Sequence, residues 1–267
     1  KTLTSSKKVE MVSLTGSTAA GIDAAKNCAD HCAHSSLELG GNDAFILCAD
    51  GDMDLAIEET VWGRLYNTGQ VCCASKRFLV ENSVKDEFIR KMTDKINSLK
   101  QGNPQDMSTD IGCLVSEEAA IEVERQVNET IAAGATLVCG GKRTGAFYEP
   151  TILDNVTPDM EVAKDMEIFG PVIPVIGFDD LEEAIEIANK SIYGLSGSII
   201  TKDVSKAIKV SEKMECGGFV INGASFFRSF EQPFGGWKYS GIGNEGIMTT
   251  LKEMSRTKTV ILKNITK

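Results

Sequence analysis

Apolar residues fall along this chain in short blocks separated by stretches of helical period. Two blocks, AFILC at 44–48 and VIPVI at 172–176, are uninterrupted and strand-length, the pattern of strands buried within a sheet. Upstream, residues 8–14 read as a strand, and Thr15-Gly16-Ser17-Thr18 turns into an Ala-rich helix reaching about His34. Leu37-Glu38-Leu39 is a short strand ending in Gly40-Gly41. A helix is predicted over 53–66, a loop over 67–75, a strand over 76–80 and an amphipathic helix over 84–99, stopped by Gly102-Asn103-Pro104. The alternation continues with helices at 117–133, 181–189 and 204–214, and strands at 136–139, 196–201 and 218–222. Glycines make 140–145 a turn and 233–246 loop-rich, and β-branched residues predict a last strand within 255–263. Strands alternating with helices specify an α/β fold with a mainly parallel sheet and flanking helices. The sheet begins in mid-unit, so an incomplete domain is expected at the N-terminus.

Composition narrows the function. A formal charge of -10 argues against nucleic acid, whose phosphates call for a basic stripe. No apolar run approaches the ~20 residues that span a bilayer, and the polar opening lacks the apolar core of a signal peptide. Eight cysteines in 267 residues are too sparse for a disulfide framework, so they are expected to be cytoplasmic thiols, mostly buried.

Three segments carry candidate chemistry. In Gly69-Gln70-Val71-Cys72-Cys73, a cysteine follows a glycine on a loop ahead of a strand, where a nucleophile can be exposed beside a backbone N–H. A Cys-Cys pair alone reads equally as packing, because cysteine is among the most buried residue types. Glu38 stands between two leucines at an apolar strand end, where desolvation can tune a carboxyl for general-base work; a salt-bridged strand residue has the same pattern. Gly16-Ser17-Thr18 lies between a strand and a helix, and the helix's free N–H groups attract phosphate. Any α/β crossover can carry such a cap. Cys28, His31, Cys32 and His34 mimic a metal cluster, but on the helix predicted there only positions three or four apart share a face, and no second Cys/His pair follows; no metal is expected.

Together the segments resemble the aldehyde dehydrogenase superfamily, whose members carry G-S-T-x-x-G, L-E-L-G-G and G-Q-x-C in this order. Here they are GSTAAG (16–21), LELGG (37–41) and GQVC (69–72). EIFGP (167–171) is similar to the family's E-x-F-G-P, and PFGGWKYSG (233–241) to P-F-G-G-x-K-x-S-G. The likeness runs through the whole chain and looks closest to succinate-semialdehyde dehydrogenases.

The resemblance implies oxidation of an aldehyde to its carboxylate with NAD or NADP. Cys72 would be the nucleophile and Glu38 the activator of water. Gly16, Ser17 and Gly21 would approach the cofactor pyrophosphate, Leu39 the nicotinamide, and Glu167 and Phe169 the nicotinamide ribose and ring. Residues 1–40 would be the end of a Rossmann-like cofactor domain, 41–240 the catalytic domain, and 241–267 a return segment with a strand that joins subunits of a homo-oligomer. Asn244 departs from the family's usual arginine, and Arg256 stands where acidic residues often occur, both near that contact. Glu245 matches a position that can relay a proton or form a structural ion pair; Arg228 lies where the substrate entrance is lined and can hold a substrate carboxylate there, though the reading as a surface arginine is favoured. About half of a typical member precedes the point matching Lys1, so this polypeptide by itself is expected to lack appreciable dehydrogenase activity. A CoA-acylating relative would commonly lack Glu38, and a non-catalytic relative would typically have lost Cys72 or Glu38.

Overall fold

The structure is a computed structural model and describes residues 2–265. Its main body is a seven-stranded sheet in the order β12-β11-β3-β4-β9-β8-β5. The strands are β3 (Asp43–Leu47), β4 (Ser75–Glu81), β5 (Thr136–Cys139), β8 (Thr151–Asp154), β9 (Val172–Phe178), β11 (Ser196–Ile200) and β12 (Gly218–Ile221). All neighbours pair in parallel except β5, which runs antiparallel on the edge beside β8. Central β3 and β4 are buried along almost their whole length because helices cover both faces, as their unbroken apolar runs require. On one face β3, β4 and β9 pack Ile46, Leu79 and Ile176 with α4 (Glu117–Ala132), α5 (Leu181–Asn189) and α6 (Val204–Lys213). On the other, Phe45, Phe78 and Val175 meet α2 (Met53–Thr60) and α3 (Asn82–Asn97).

A second, three-stranded sheet has the order β1-β2-β14: β1 (Met11–Thr15) lies parallel to β2 (His34–Glu38), and β14 (Gly241–Ile242) returns antiparallel to β2. Helix α1 (Thr18–Ala29) crosses between β1 and β2, capped by Ser17, whose hydroxyl accepts from Ala20 N. Two small ribbons, β6 (Arg143–Thr144) with β7 (Phe147–Tyr148) and β10 (Tyr193–Gly194) with β13 (Trp237–Lys238), complete the strands, and α7 (Ile247–Glu253) follows β14.

Several expectations are corrected. The helix predicted to reach His34 ends at Ala29, and Cys32 takes a left-handed φ of 56° before β2 begins. The helix predicted over 53–66 is α-helical only to Thr60; a π-turn over Val61–Leu65 follows, within which Gly63 packs against Ala224, whose Cβ would lie 2.7 Å from any Cβ added there. Strand β8 and helix α7 carry no strong periodic signature and were not anticipated. The last strand expected within 255–263 is not one: among the described residues it has no strand to pair with, and Val260, Ile261 and Leu262 are exposed.

Candidate active site

The site forms where the two sheets meet. Glu38 is the last residue of β2, paired in register with Thr15 at the end of β1. Carboxyl ends of parallel strands are where open α/β sheets bind ligands. Leu39-Gly40-Gly41 then leads directly into β3, which carries Asp43 as its first residue.

Cys72 reaches the same place through a strained turn. Asn67, Thr68 and Gly69 take φ values of 49°, 56° and 77° in succession. A β-branched threonine resists the left-handed region, and such outliers cluster at functional sites. Gly69 admits no side chain, since a Cβ would overlap the carbonyl of Gly170. The turn is pinned by Asn67 Nδ2 donating to Gln70 O at 3.1 Å and Gln70 Nε2 donating to Asn67 O at 2.9 Å. Cys72 follows it into the loop ahead of β4.

Glu38 and Cys72 line one cavity of about 540 Å³ together with Thr15, Trp62, Cys73, Phe226, Phe227, Arg228, Phe234 and Glu245. Trp62 and Phe226 on its wall form an aromatic cluster with Tyr66 beside them, ring centroids 5.1–5.5 Å apart. Arg228 stacks 4.4 Å from the Phe234 ring centre and stands 3.4 Å from Glu245.

Electrostatics separate the two groups. Glu38 is only 5% exposed and neither carboxyl oxygen has a hydrogen-bond partner. Burial, then the charges of Glu245 and Cys72, push its pKa up to about 8, against the pull of Arg228. Cys72 moves the other way, down to about 6. The hydrogen bond with the Cys73 side chain does most of this, with further help from Lys76 and the Cys73 backbone, against its own burial. Cys73 is correspondingly driven up by that hydrogen bond and by burial. A carboxyl and a thiol are thus pushed in opposite directions around one cavity, and perturbed groups of this kind cluster at functional sites.

A third element meets the Gly41 and Lys76 segments beside the cavity. The loop before β9 presents Glu167, whose Oε1 accepts from Gly41 N at 3.1 Å and lies 3.3 Å from Lys76 Nζ. Gly40 lies directly under this carboxylate, so a Cβ there would push Glu167 Oε2 aside. Arg64 in the π-turn is fully buried and donates to Val172 O at 2.5 Å and Ile168 O at 2.9 Å, tying that turn to the Glu167 loop. Phe169 is exposed, its ring centre 5.8 Å from Lys76 Nζ.

On the small sheet, the Gly16 turn is open: a Cβ there would meet nothing nearer than Leu14 at 3.9 Å. No acidic residue occupies the first turn of α1. Gly21 faces inward, and a Cβ on it would overlap Leu39, so Gly21 and Leu39 meet in the close packing of α1 on β2. The sequence thus named the groups on the cavity and the α1 turn, and overlooked Asp43, Lys76, Trp62 and the π-turn. The available signal was two adjacent cations, Lys76-Arg77, heading a strand expected to be central. The Cys28-to-His34 cluster disperses: Cys28 is buried, His31 Nε2 lies 3.1 Å from Val9 O, and His34 pairs with Glu253. Among the described residues no group of three or more His, Cys, Asp or Glu could hold a metal, and no helix is long and apolar enough to cross a membrane.

Fold and site define an α/β scaffold with a cysteine and a glutamate on one cavity. The profile described as "Aldehyde dehydrogenase family" matches residues 1–260, and the chain belongs to that family. It is 41% identical over 255 residues to a lactaldehyde dehydrogenase of Methanococcus aeolicus, covering 96% of this chain and 54% of that relative. A succinate-semialdehyde dehydrogenase [NADP(+)] of Deinococcus radiodurans is 40% identical over 255 residues, covering 94% and 53%. The solved glyceraldehyde-3-phosphate dehydrogenase GapN of Methanocaldococcus jannaschii, complexed with NADP, superposes with a TM-score of 0.92 at 42% identity, covering 96% of this chain and 55% of that one. The chain therefore spans about half the length of the relatives it matches.

Proposed function

We propose that the protein oxidises an aldehyde to its carboxylate with NAD or NADP, using Cys72 as nucleophile and Glu38 as general base. The observation that carries this reading is the shared cavity, with an unpartnered carboxyl at one wall and an acidified thiol at another.

The Cys72 thiolate adds to the aldehyde carbon; a C–S bond forms and the carbonyl π pair moves to oxygen. A nicotinamide held beside this carbon would supply the hydride acceptor, and loss of hydride from the adduct would leave a thioester on Cys72. Glu38 then takes a proton from a water whose oxygen attacks the thioester carbon, and the C–S bond breaks with sulfur leaving as thiolate. Burial of Glu38 without partners suits this role, because its oxygens are free for water. A dinucleotide fits the remaining residues. The open Gly16-Ser17 turn gives its pyrophosphate a helix N-terminus free of acids. Gly21 and Leu39 shape the adjoining wall, and Glu167 with Phe169 receives the nicotinamide ribose and ring. Residues 1–40 belong to the cofactor-binding side, 41–240 to the catalytic domain and 241–267 to a return segment.

We assign the substrate as an aldehyde with an anionic tail, such as succinate semialdehyde. Arg228 is the cation on the cavity wall, and a stacked guanidinium is well placed for bidentate capture of a carboxylate. The segment after α7 belongs to the contact in a homo-oligomer, which would cover Val260, Ile261 and Leu262. The test is nicotinamide reduction at matched aldehydes with both cofactors, on this chain and on a polypeptide of its relatives' length. Oxidation by the longer polypeptide that vanishes in Cys72→Ala supports the reading; full activity in Cys72→Ala refutes it.

A further inference from the structure

Lys76 is the second residue of β4, in the middle of the seven-stranded sheet, and its side chain is 1% exposed. An ammonium taken out of water must be satisfied by acceptors. Here they are the carbonyl oxygens of Cys72 at 2.5 Å and Val71 at 2.9 Å, and Glu167 Oε1 at 3.3 Å. Two of the three belong to the loop that carries the candidate nucleophile. The third is the carboxylate assigned to the cofactor ribose, and the same oxygen accepts from Gly41 N. Gly41 in turn touches the nucleophile loop, since a Cβ there would stand 2.7 Å from Cys72 O. The buried charge therefore ties the nucleophile loop to Glu167, far away in the chain, and Gly41 bridges the same two groups.

The groups around the Cys72 sulfur make that charge matter. Glu167 from the loop before β9 opposes a thiolate at Cys72, a charged Cys72 raises the proton affinity of Glu38 at the end of β2 and of Asp43 at the start of β3, and Glu245 lies across the cavity. Cys73 adjoins it, Arg77 faces Asp43, and Arg228 is across the cavity beside Glu245. Lys76 is the cation bonded to the loop itself.

We propose that Lys76 is a positioning residue for the nucleophile: its ammonium fixes the Val71-Cys72 turn, favours the thiolate and transmits the state of Glu167 to the sulfur. The proposal rests on the reading of Cys72 as nucleophile and Glu167 as ribose carboxylate. Ribose hydroxyls donating to Glu167 would weaken its hold on Lys76, leaving more of the cation's field for the thiolate. Cofactor binding would thus ready the sulfur with no movement of the sheet.

The experiment reads the sulfur directly and needs no turnover. The rate of iodoacetamide alkylation of Cys72 is followed by mass spectrometry of its peptide across about pH 5 to 10. Folding of each variant is checked by circular dichroism. Lys76→Met should move the midpoint of the pH–rate profile up by about one unit or more, since a cation close to an ionising group typically shifts it by about 1–3 units. Lys76→Gln keeps a donor and drops the charge, so it should do the same, and it carries the test if the methionine variant does not fold. Glu167→Gln should lower the midpoint in the wild-type background and do so by less than half as much beside Lys76→Met or Lys76→Gln. An unchanged midpoint in the Lys76 variants, or a Glu167→Gln shift of equal size in both backgrounds, overturns the proposal. Failure of the functional reading would look different: Cys72→Ala would still oxidise aldehyde while these midpoints moved as expected.

Discussion

Glu38 and Cys72 face one cavity, and a negative charge on Cys72 raises the proton affinity of Glu38. The coupling suits a two-stage reaction. While the sulfur is a free thiolate, Glu38 tends to keep its proton; once the sulfur is acylated that charge is gone, and Glu38 ionises more readily when a base is needed.

Glu38→Gln should leave acylation of Cys72 nearly intact and slow hydrolysis of the thioester by about 10²–10⁴-fold. Rapid-quench kinetics should resolve a burst of reduced nicotinamide followed by a slow steady state. In the wild type the steady rate should climb with pH toward a plateau above about 8, as Glu38 loses its proton.

Stability should carry the same signature. The folded chain holds a proton on Glu38 that the unfolded chain releases above its ordinary pKa of 4.5. This contribution is complete below that value and is lost as pH rises through about 8. Glu38→Gln cannot lose it, so the variant's Tm relative to wild type should rise steadily between about pH 4.5 and 9 in differential scanning calorimetry. A difference independent of pH would mean that Glu38 is ionised in the fold.

Arg228→Gln should raise KM for a carboxylate-bearing semialdehyde by about 10–100-fold, the effect of losing a charge-assisted hydrogen bond. A neutral aldehyde of the same length should be oxidised within about twofold of wild type. Equal losses on both substrates would show that Arg228 shapes the wall instead of reading charge.

Gly21→Ala should destabilise the protein by about 1–3 kcal/mol, because the new methyl overlaps Leu39 in a packed interface. Combining it with Leu39→Ala should recover part of the loss in Tm. Additive losses would place the strain elsewhere.

Much of this was legible in the sequence, and the remainder failed for identifiable reasons. The runs around Phe45 and Val175 announced central strands because both of their faces are covered, and Ser17 announced the start of α1 because its hydroxyl caps it. Cys72 and Glu38 were named by motif, but only the tertiary fold brings Thr15, Glu38 and Cys72 onto one cavity. Lys76 was overlooked because a lysine beside an arginine reads as surface unless the strand it heads is taken as central; its burial follows from the position of β4 between β3 and β9. Residues 255–263 have the composition of a strand, but a strand exists only where a neighbour supplies the ladder, and no local pattern encodes that neighbour.

The most direct measurement is the mass of the Cys72 peptide from Glu38→Gln quenched during turnover with aldehyde and cofactor, in the longer polypeptide that oxidises it. The account predicts an acyl group on Cys72, absent in the Cys72→Ala/Glu38→Gln double variant. An acyl group on another cysteine, or steady turnover with none on Cys72, would contradict it.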